Sequence, residues 1–147
     1  MVLARRRAEV GWKGTIEEGR GSFTVGSWIV GEIPVTWSSR MSPEEESTSP
    51  EELMAAAHAS CYAMALSLVL GERGTPPESV DVQAACALDA VSEGFRITTM
   101  DLEVCGRVPN LDAEGFRSAA EYAHQICPVS NALKDNVEIR VNTVLED

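Results

Sequence analysis

The hydrophobic pattern of the chain is dominated by one segment, residues 53–70, in which nearly every side chain is apolar. Its polar exceptions are the side chains of His58, Ser60 and Ser67 and the hydroxyl of Tyr62. We predict that the segment is a single helix, because helix signals stand at both of its ends. A helix that is apolar on every side must also be covered on every side, so we expect it to be deeply buried.

The residues that flank this segment carry the signals that start and stop a helix. Ser49 is a typical N-cap, and Pro50 follows at the first helical position, where its missing N–H costs nothing. Glu52 can complete a capping box with Ser49, and Glu51 adds negative charge at the positive end of the helix dipole. Gly71 can close the far end in a left-handed conformation.

Before this helix the pattern is that of strands. Residues 4–12 and 22–30 are predicted as strands, joined by a turn at residues 17–21 that contains two glycines. Residues 35–40 alternate again between two faces and predict a third strand. Residues 41–48 show no pattern and predict a linker that leads into the helix.

After the helix the pattern predicts a strand hairpin, a second helix, a further short helical turn and a last strand. In that order these elements cover residues 80–88, 95–108, 112–126, 128–134 and 137–143. Ser92-Glu93-Gly94 supplies the hairpin turn, and Pro128 prevents simple continuation of the second helix. Strands, a buried helix, strands, a helix and a strand predict an α+β fold, with no internal repeat.

Length and charge narrow the class of protein. With 147 residues and 44% hydrophobic content, the chain is most simply one folded domain over residues 1–147. The net charge of −11 argues against nucleic-acid binding and against attraction to anionic membranes. The acidic run Glu44–Glu46 is expected to be a solvated loop. Arg5–Arg7 are not followed by an apolar stretch, so we predict no secretory signal and a cytoplasmic protein.

The apolar segment also has about the minimum length for a membrane span. It is, however, rich in alanine, it carries His58, and amphipathic sequence follows it. We therefore expect a core helix and no association with a membrane.

The chain contains four cysteines, and none of them forms a CxxC pair. They are Cys61, Cys86, Cys105 and Cys127. A framework of structural disulfides is not expected in a cytosolic chain of this size. Cys86 and Cys105 fall within predicted strands and are expected to be small buried hydrophobes. Cys61 stands in the middle of the apolar helix, where it is either inert packing or a protected reagent.

A reactive Cys61 would need a nearby cation, because a thiol with the ordinary pKa is only about 3% thiolate at neutral pH. The candidates are Arg40, at the end of the predicted third strand, and Arg20, in the predicted first turn. Arginine keeps its charge when it is desolvated, but a buried guanidinium needs a carboxylate partner. Glu51, in the first turn of the helix that carries Cys61, can supply it.

Two identical HxxC pairs support a different interpretation. His58 precedes Cys61 and His124 precedes Cys127 by one helical turn, so each pair lies on one face of its helix. Two nitrogens and two sulfurs suit tetrahedral zinc. Structural zinc usually lies on loops rather than in the middle of an apolar helix, which disfavours this alternative.

Four segments of the chain together resemble the OsmC/Ohr family (osmotically inducible protein C and organic hydroperoxide resistance protein). They are residues 48–72, residues 127–134 with the run Cys127-Pro128-Val129-Ser130, the hairpin at 88–98, and the opening motifs at 12–14 and 19–22. The two cysteine segments are specific, and the four cover nearly the whole chain at matching spacing. Ala57-His58-Ala59 and residues 64–67 resemble the OsmC branch rather than the Ohr branch.

The resemblance implies a cysteine-based peroxidase that reduces organic hydroperoxides to alcohols without a cofactor. Cys61 matches the peroxidatic cysteine of the family and Cys127 the resolving cysteine. Glu51 matches the carboxylate of the family, Arg40 fits the arginine position of the OsmC branch, and Arg20 lies where the Ohr arginine loop would fall. His124 does not belong to the family pattern.

The resemblance also implies a reaction cycle and a mode of assembly. Cys61 would become a sulfenic acid and then form a disulfide with Cys127, which an external dithiol, such as a lipoyl-type dithiol, would reduce. The implied fold is an intertwined homodimer with antiparallel sheets wrapped around the long helices, which would explain how a helix apolar on every side is covered. A non-enzymatic dimeric binding protein is the rival from another functional class.

Overall fold

The computed structural model describes residues 1–42 and 47–146 of the chain. In chain order its elements are β1 (Ala8–Lys13), β2 (Arg20–Val25), β3 (Ile33–Val35), α1 (Trp37–Met41), α2 (Pro50–Glu72), β4 (Ser79–Val91), β5 (Gly94–Arg107), α3 (Ala113–Ile126), α4 (Pro128–Leu133) and β6 (Glu138–Glu146). This order confirms the predicted α+β class. The predicted acidic loop at Glu44–Glu46 lies outside the described residues.

The chain divides into two compact units, Met1–Leu53 and Met54–Asp147, and the boundary falls inside α2. The first unit contains an antiparallel sheet in the order β1-β2-β3. Gly21 of β2 lies opposite Trp12 of β1, and a Cβ on this glycine would come within 2.7 Å of the indole ring. The hairpin therefore needs glycine there. One domain over residues 1–147 stays a prediction.

The third strand predicted over residues 35–40 is wrong, because the chain turns into α1 after Val35. Thr36 caps this short helix: its hydroxyl accepts from the N–H of Ser39, and the Ser39 hydroxyl accepts from the N–H of Thr36, each at 3.0 Å. These two reciprocal bonds favour a helical turn over the strand that the alternating pattern predicts. Arg40 consequently lies in the last turn of a helix, not at the end of a strand.

Helix α2 begins where the sequence predicts. The backbone N–H of Glu52 donates to the Ser49 hydroxyl at 3.1 Å, as expected of an N-cap. The Glu52 carboxylate, however, accepts from the hydroxyl of Thr48 at 2.5 Å and not from the Ser49 N–H. The predicted capping box is therefore only half formed, and a threonine side chain takes the place of the backbone donor.

The far end of α2 closes one turn later than predicted. Gly74, and not Gly71, has the left-handed conformation, with φ of 78°. The N–H of Thr75 donates to the carbonyl of Leu70, and that of Gly74 to Gly71, both at 3.0 Å. This is the bonding of a Schellman motif, in which glycine follows the last helical turn.

The second unit contains a three-stranded sheet in the order β4-β5-β6. β4 and β5 form the predicted antiparallel hairpin, but β6 pairs with β5 in parallel. The expectation of purely antiparallel sheets is thus wrong for one pair. The helices α3 and α4 between β5 and β6 form the crossover connection that parallel pairing requires.

The core of the second unit lies between α2, β5 and α3. Its fully buried large side chains include Tyr62, Leu66 and Leu70 from α2, Met100 and Leu102 from β5, and Phe116 from α3. Gly106 of β5 lies directly against the ring of Phe116, which leaves no room for a side chain there. This contact holds the start of α3 against β5.

Helix α2 is buried on one side only. Leu53, Met64 and Leu68 on its other side are 40%, 67% and 55% exposed. The expectation that every face of this helix is covered is therefore not met within a single chain. Among the described residues α2 is the one helix whose length and hydropathy would let it cross a membrane, a test that core helices of soluble proteins also pass.

Candidate active site

Two sulfur atoms lie in contact at the centre of the candidate site. The thiol of Cys127 donates a weak hydrogen bond to Cys61 in the middle of α2, with 3.4 Å between the two Sγ atoms. Both are thiols, Cys127 fully buried and Cys61 partly exposed. A disulfide needs the sulfurs to approach to about 2.05 Å. The two sulfur atoms would therefore need to move only a short distance to form a disulfide.

The position of Cys127 follows from the break between the last two helices. Cys127 is the C-cap of α3 and the N-cap of α4, with extended backbone angles. Pro128 after it disfavours helical geometry at the preceding residue. The break turns Cys127 out of the helical path, at the point where its thiol meets α2.

The pKa of the Cys61 thiol is raised above its ordinary value, first of all by burial. The neighbouring Cys127 adds to the rise, while a hydrogen bond with the backbone of Val129 in α4 opposes it. Because the net direction is upward, the thiolate fraction of Cys61 at neutral pH is lower than that of an ordinary cysteine. A reactive Cys61 therefore needs further positive charge.

Tyr62 fixes the part of α2 that carries Cys61. Its buried hydroxyl donates to the backbone carbonyl of Ala120 in α3 at 2.8 Å. Burial raises the pKa of this phenol, so that it remains a donor at physiological pH. The bond links the two helices whose cysteines meet.

Arg40 and Glu51 form a close ion pair in the first unit. Arg40 Nη2 lies 2.6 Å from Glu51 Oε1, and Arg40 Nε donates to the two carboxylate oxygens at 3.0 and 3.2 Å. The Glu51 side chain is only 8% exposed, and that of Arg40 30%. The guanidinium also lies over the ring of Trp37, 5.9 Å from its centroid. Several donors and a stacking surface thus hold Arg40 in one orientation.

The alternative arginine lies elsewhere in this unit. Arg20 is the exposed first residue of β2 and is paired in register with Lys13 of β1. None of the ion pairs between described residues involves it. Glu51 therefore has Arg40 as its cation. A role of Arg40 towards Cys61 stays a prediction.

The two histidines of the HxxC pairs meet at a shared serine. His58 Nε2 lies 2.7 Å from the hydroxyl oxygen of Ser130, and His124 Nδ1 lies 3.2 Å from the same atom. Across residues 1–42 and 47–146, no group of three or more His, Cys, Asp or Glu side chains is arranged to hold a metal ion. The histidines thus contact a hydroxyl, in an arrangement that does not favour the zinc alternative.

Ser130 and Trp37 are site residues that the sequence did not predict. Ser130 follows Cys127 by three residues, as Cys127 follows His124, and this repeated spacing was the available signal. The partner of Ser130 on α2, His58, is 72 residues away in sequence. Only the folded chain shows that the two HxxC pairs face each other through this hydroxyl.

The remaining cysteines have different surroundings. Cys86, on β4, packs against the core but is only partly buried, so the expectation of a fully buried hydrophobe is not met. Cys105, on β5, is only partly buried, and its thiol forms a hydrogen bond with Glu146. That bond, together with the charges of Glu146 and Asp81, raises the pKa of the Cys105 thiol. Cys105 is therefore set to remain protonated.

Comparison with known sequences gives consistent matches. Residues 43–142 match the family model described as OsmC-like protein. Peroxiredoxin OsmC of Escherichia coli K12 is 39% identical over 138 residues, which are 94% of this chain and 96% of that protein. An organic hydroperoxide resistance protein of Xanthomonas axonopodis pv. citri is 30% identical over 95 residues, 64% of this chain and 65% of that protein.

Comparison with solved structures supports the same fold. A Legionella pneumophila crystal structure, described as an organic hydroperoxide resistance protein OsmC, has a TM-score of 0.77 and 22% identity, covering 97% of this chain and 98% of that one. The organic hydroperoxide resistance protein OhrB of Bacillus subtilis has a TM-score of 0.72 and 22% identity, covering 94% and 98%.

Proposed function

Because this chain belongs to the OsmC-like family, we propose that it is a thiol-dependent peroxidase that reduces organic hydroperoxides to alcohols. One observation carries the proposal: the thiols of Cys61 and Cys127, far apart in sequence, lie 3.4 Å apart. A peroxidase that cycles through a disulfide needs such a pair, whereas a thiol that only fills space needs no second thiol in contact.

In the first step the Cys61 thiolate attacks the hydroperoxide. A sulfur–oxygen bond forms, the oxygen–oxygen bond breaks, and the electron pair of that bond leaves with the alkoxide, which takes a proton to become the alcohol. Cys61 is then a sulfenic acid. Its partial exposure gives a substrate access to this sulfur, which the fully buried Cys127 lacks.

In the second step Cys127 attacks the sulfur of the Cys61 sulfenic acid. The disulfide forms, and the hydroxide that leaves combines with a proton to give water. An external dithiol, for which a lipoyl-type compound has the required chemistry, then reduces the disulfide by thiol–disulfide exchange. Two thiols are restored, and the external dithiol leaves as a disulfide.

In this proposal Arg40 supplies the positive charge that Cys61 needs. Burial raises the pKa of Cys61, so a guanidinium must offset that effect to give a useful fraction of thiolate. Glu51 and Trp37 orient the guanidinium and leave its charge fixed in one place. Glu51 is thus a positioning residue, and Arg40 acts on the reacting sulfur.

We further propose that a second copy of this chain covers the exposed side of α2. Small and apolar residues dominate that side, among them Leu53, Ala56, Ala57, Met64 and Leu68. A soluble cytoplasmic chain gains by removing such a continuous apolar surface from water. The same surface on each copy suits a symmetric dimer, and sedimentation of the purified protein tests this expectation.

The peroxidase proposal is tested by counting thiols while cumene hydroperoxide is added in sub-stoichiometric amounts. We expect loss of two of the four thiols per chain, reversed by a dithiol. A non-enzymatic binding protein would keep all its thiols, and a zinc-stabilised domain would release metal when its thiols are oxidised. Either result would contradict the proposal.

A further inference from the structure

The short helix α4 buries a polar side chain where a packed helix usually buries an apolar one. Among its six residues, all of which the structure describes, Ser130 is the fully buried one, at 1% exposure. A helix of this length is not stable by itself, so its position depends on contacts with the rest of the chain. A buried hydroxyl among those contacts needs a hydrogen-bond partner.

That partner lies on α2. The Ser130 hydroxyl oxygen lies 2.7 Å from Nε2 of His58, which is 0% exposed. His124 Nδ1, near the end of α3, lies 3.2 Å from the same oxygen. Burial lowers the pKa of both histidines, so both rings are neutral at physiological pH, and the hydroxyl can donate to one ring while it accepts from the other. One hydroxyl therefore links α2, α3 and α4.

Asn131 holds the break between α3 and α4. Its side-chain amide donates to the carbonyls of Gln125 and Cys127, at 2.9 and 3.2 Å. Its backbone N–H donates to the carbonyl of Cys127 as well, at 3.0 Å. These bonds hold Cys127 in place relative to α4. A contact that fixes α4 against α2 therefore also fixes the position of Cys127 against α2.

The first turn of α4 lies along one face of α2. Cys127 contacts Cys61 at 3.4 Å, and the backbone of Val129 forms a hydrogen bond with the Cys61 thiol. Ser130 contacts His58, which is three residues before Cys61 and so is its neighbour on the helix surface. Among the described residues His58 Nδ1 has no partner, so loss of this contact would leave the buried ring without any hydrogen bond. That loss is costly, which favours the packed position of α4.

We propose that Ser130 and His58 are positioning residues that keep the sulfur of Cys127 in contact with that of Cys61, an inference that rests on the proposed disulfide cycle. A disulfide requires the two sulfurs to approach to about 2.05 Å, so it can form only while α4 is packed against α2. The bond between the hydroxyl and the imidazole favours this arrangement in the dithiol form. It thereby raises the effective concentration of one thiol at the other.

The test measures the equilibrium between the two thiols and a couple of lipoamide and dihydrolipoamide, so that no peroxide is involved. In this exchange the two thiols pass two electrons and two protons to lipoamide, the Cys61–Cys127 disulfide forms, and dihydrolipoamide is released. Alkylation of the remaining thiols and mass spectrometry give the oxidised fraction at each ratio of the couple. A bond that only stabilised the fold would lower the stability of both redox forms and leave this equilibrium unchanged.

Ser130→Ala removes the hydroxyl that links the helices. The equilibrium constant for disulfide formation should fall about tenfold, as expected for the loss of one buried hydrogen bond. Ser118→Ala is the matched control, because the Ser118 hydroxyl accepts a hydrogen bond from Arg73 at an exposed position on α3. Its equilibrium constant should equal that of the unchanged protein.

Two substitutions of His58 test the other side of the same bond, and they carry the test if Ser130→Ala does not fold. His58→Gln places an amide nitrogen near the position of Nε2 and can still bond to Ser130, so its equilibrium constant should stay close to that of the unchanged protein. His58→Leu cannot form the bond, and its equilibrium constant should fall about tenfold.

Three results would overturn the positioning role. The first is an unchanged equilibrium constant in Ser130→Ala and His58→Leu, and the second is an equal fall in His58→Gln and His58→Leu. The third is the absence of a Cys61–Cys127 disulfide in the unchanged protein at every ratio of the couple. Failure of peroxide to oxidise Cys61 would leave this equilibrium as it is and would overturn the proposed function instead.

Discussion

The cysteine within α2 and the one between α3 and α4 have different surroundings from the two cysteines on strands. Cys61 and Cys127 meet sulfur to sulfur at 3.4 Å, and the backbone of Val129 forms a hydrogen bond with Cys61. Cys86 and Cys105, on neighbouring strands, are out of register: Cys86 pairs with Met100 and Cys105 with Asp81. The contact between Cys61 and Cys127 thus follows from where the fold places these two residues, and not from the number of cysteines in the chain.

Cys105 and Cys61 also differ in the effects that set the pKa of their thiols. The carboxylates of Glu146 and Asp81 beside Cys105 raise the pKa of its thiol and disfavour a thiolate. At Cys61 burial raises the pKa, and a fixed guanidinium can offset this effect. In the proposed function, Cys61 therefore differs from Cys105 by a second thiol in contact and by a guanidinium that offsets the effect of burial.

The largest effect should come from Cys61→Ser. Without the attacking sulfur of the proposed cycle, peroxide consumption should fall to the uncatalysed background. The rate at which the variant consumes cumene hydroperoxide in the presence of excess dithiol measures this fall. If the variant consumes peroxide like the unchanged protein, Cys61 is not the reacting residue.

Cys127→Ser should stop turnover but not the first reaction. Cys61 would still be oxidised once, and its sulfenic acid, with no resolving thiol, would remain or be oxidised further to the sulfinic acid. Mass spectrometry of the intact chain after one and ten equivalents of peroxide follows this change. Sustained turnover in this variant would show that Cys127 does not resolve Cys61.

Arg40→Gln should slow the reaction of Cys61 with peroxide by about 10 to 10³-fold, the range expected from a pKa change of one to three units. Loss of a cation raises the pKa of the thiol, so the rate–pH curve should move to higher pH. Stopped-flow rates between pH 6 and pH 10 measure both effects.

Arg20→Gln is the matched control for Arg40→Gln, because Arg20 is exposed and forms no ion pair among the residues the structure describes. Its rate–pH curve should coincide with that of the unchanged protein. If Arg20→Gln moves the curve and Arg40→Gln does not, the assignment of the two arginines is reversed.

The smallest effect is expected from Cys105→Ser. The residue is partly exposed on β5 and takes no part in the contact between Cys61 and Cys127, so peroxidase activity should not change. Stability to unfolding by urea should stay within about 0.5 kcal/mol, as is usual for substitutions away from the core. Loss of peroxidase activity in Cys105→Ser would contradict the proposal that the redox-active pair is Cys61 and Cys127 and not the cysteines on the strands.

Features coded by neighbouring residues were predictable from the sequence. The start of α2 at Ser49, the capped helix α3 and the hairpin after Val91 all depend on signals within a few positions. The error at residues 35–40 is also local. There the bonds between Thr36 and Ser39 outweigh an alternating pattern.

Features that depend on distant partners were not predictable in the same way. The parallel direction of β6 depends on the path that α3 and α4 take back to the sheet edge. The bridge from His58 to Ser130 joins residues 72 positions apart. Roles for Arg40, Glu51 and Cys127 could be proposed from resemblance to a family, but spacing alone left them open.

The central claim is that Cys61 and Cys127 form the redox-active pair. The most direct test adds one equivalent of cumene hydroperoxide to the reduced protein, alkylates the remaining thiols and identifies the peptides by mass spectrometry. The account predicts a Cys61–Cys127 disulfide, with Cys86 and Cys105 alkylated, and disappearance of the disulfide when dithiol is added before alkylation. Alkylation of all four cysteines, or oxidation confined to Cys86 and Cys105, would contradict it.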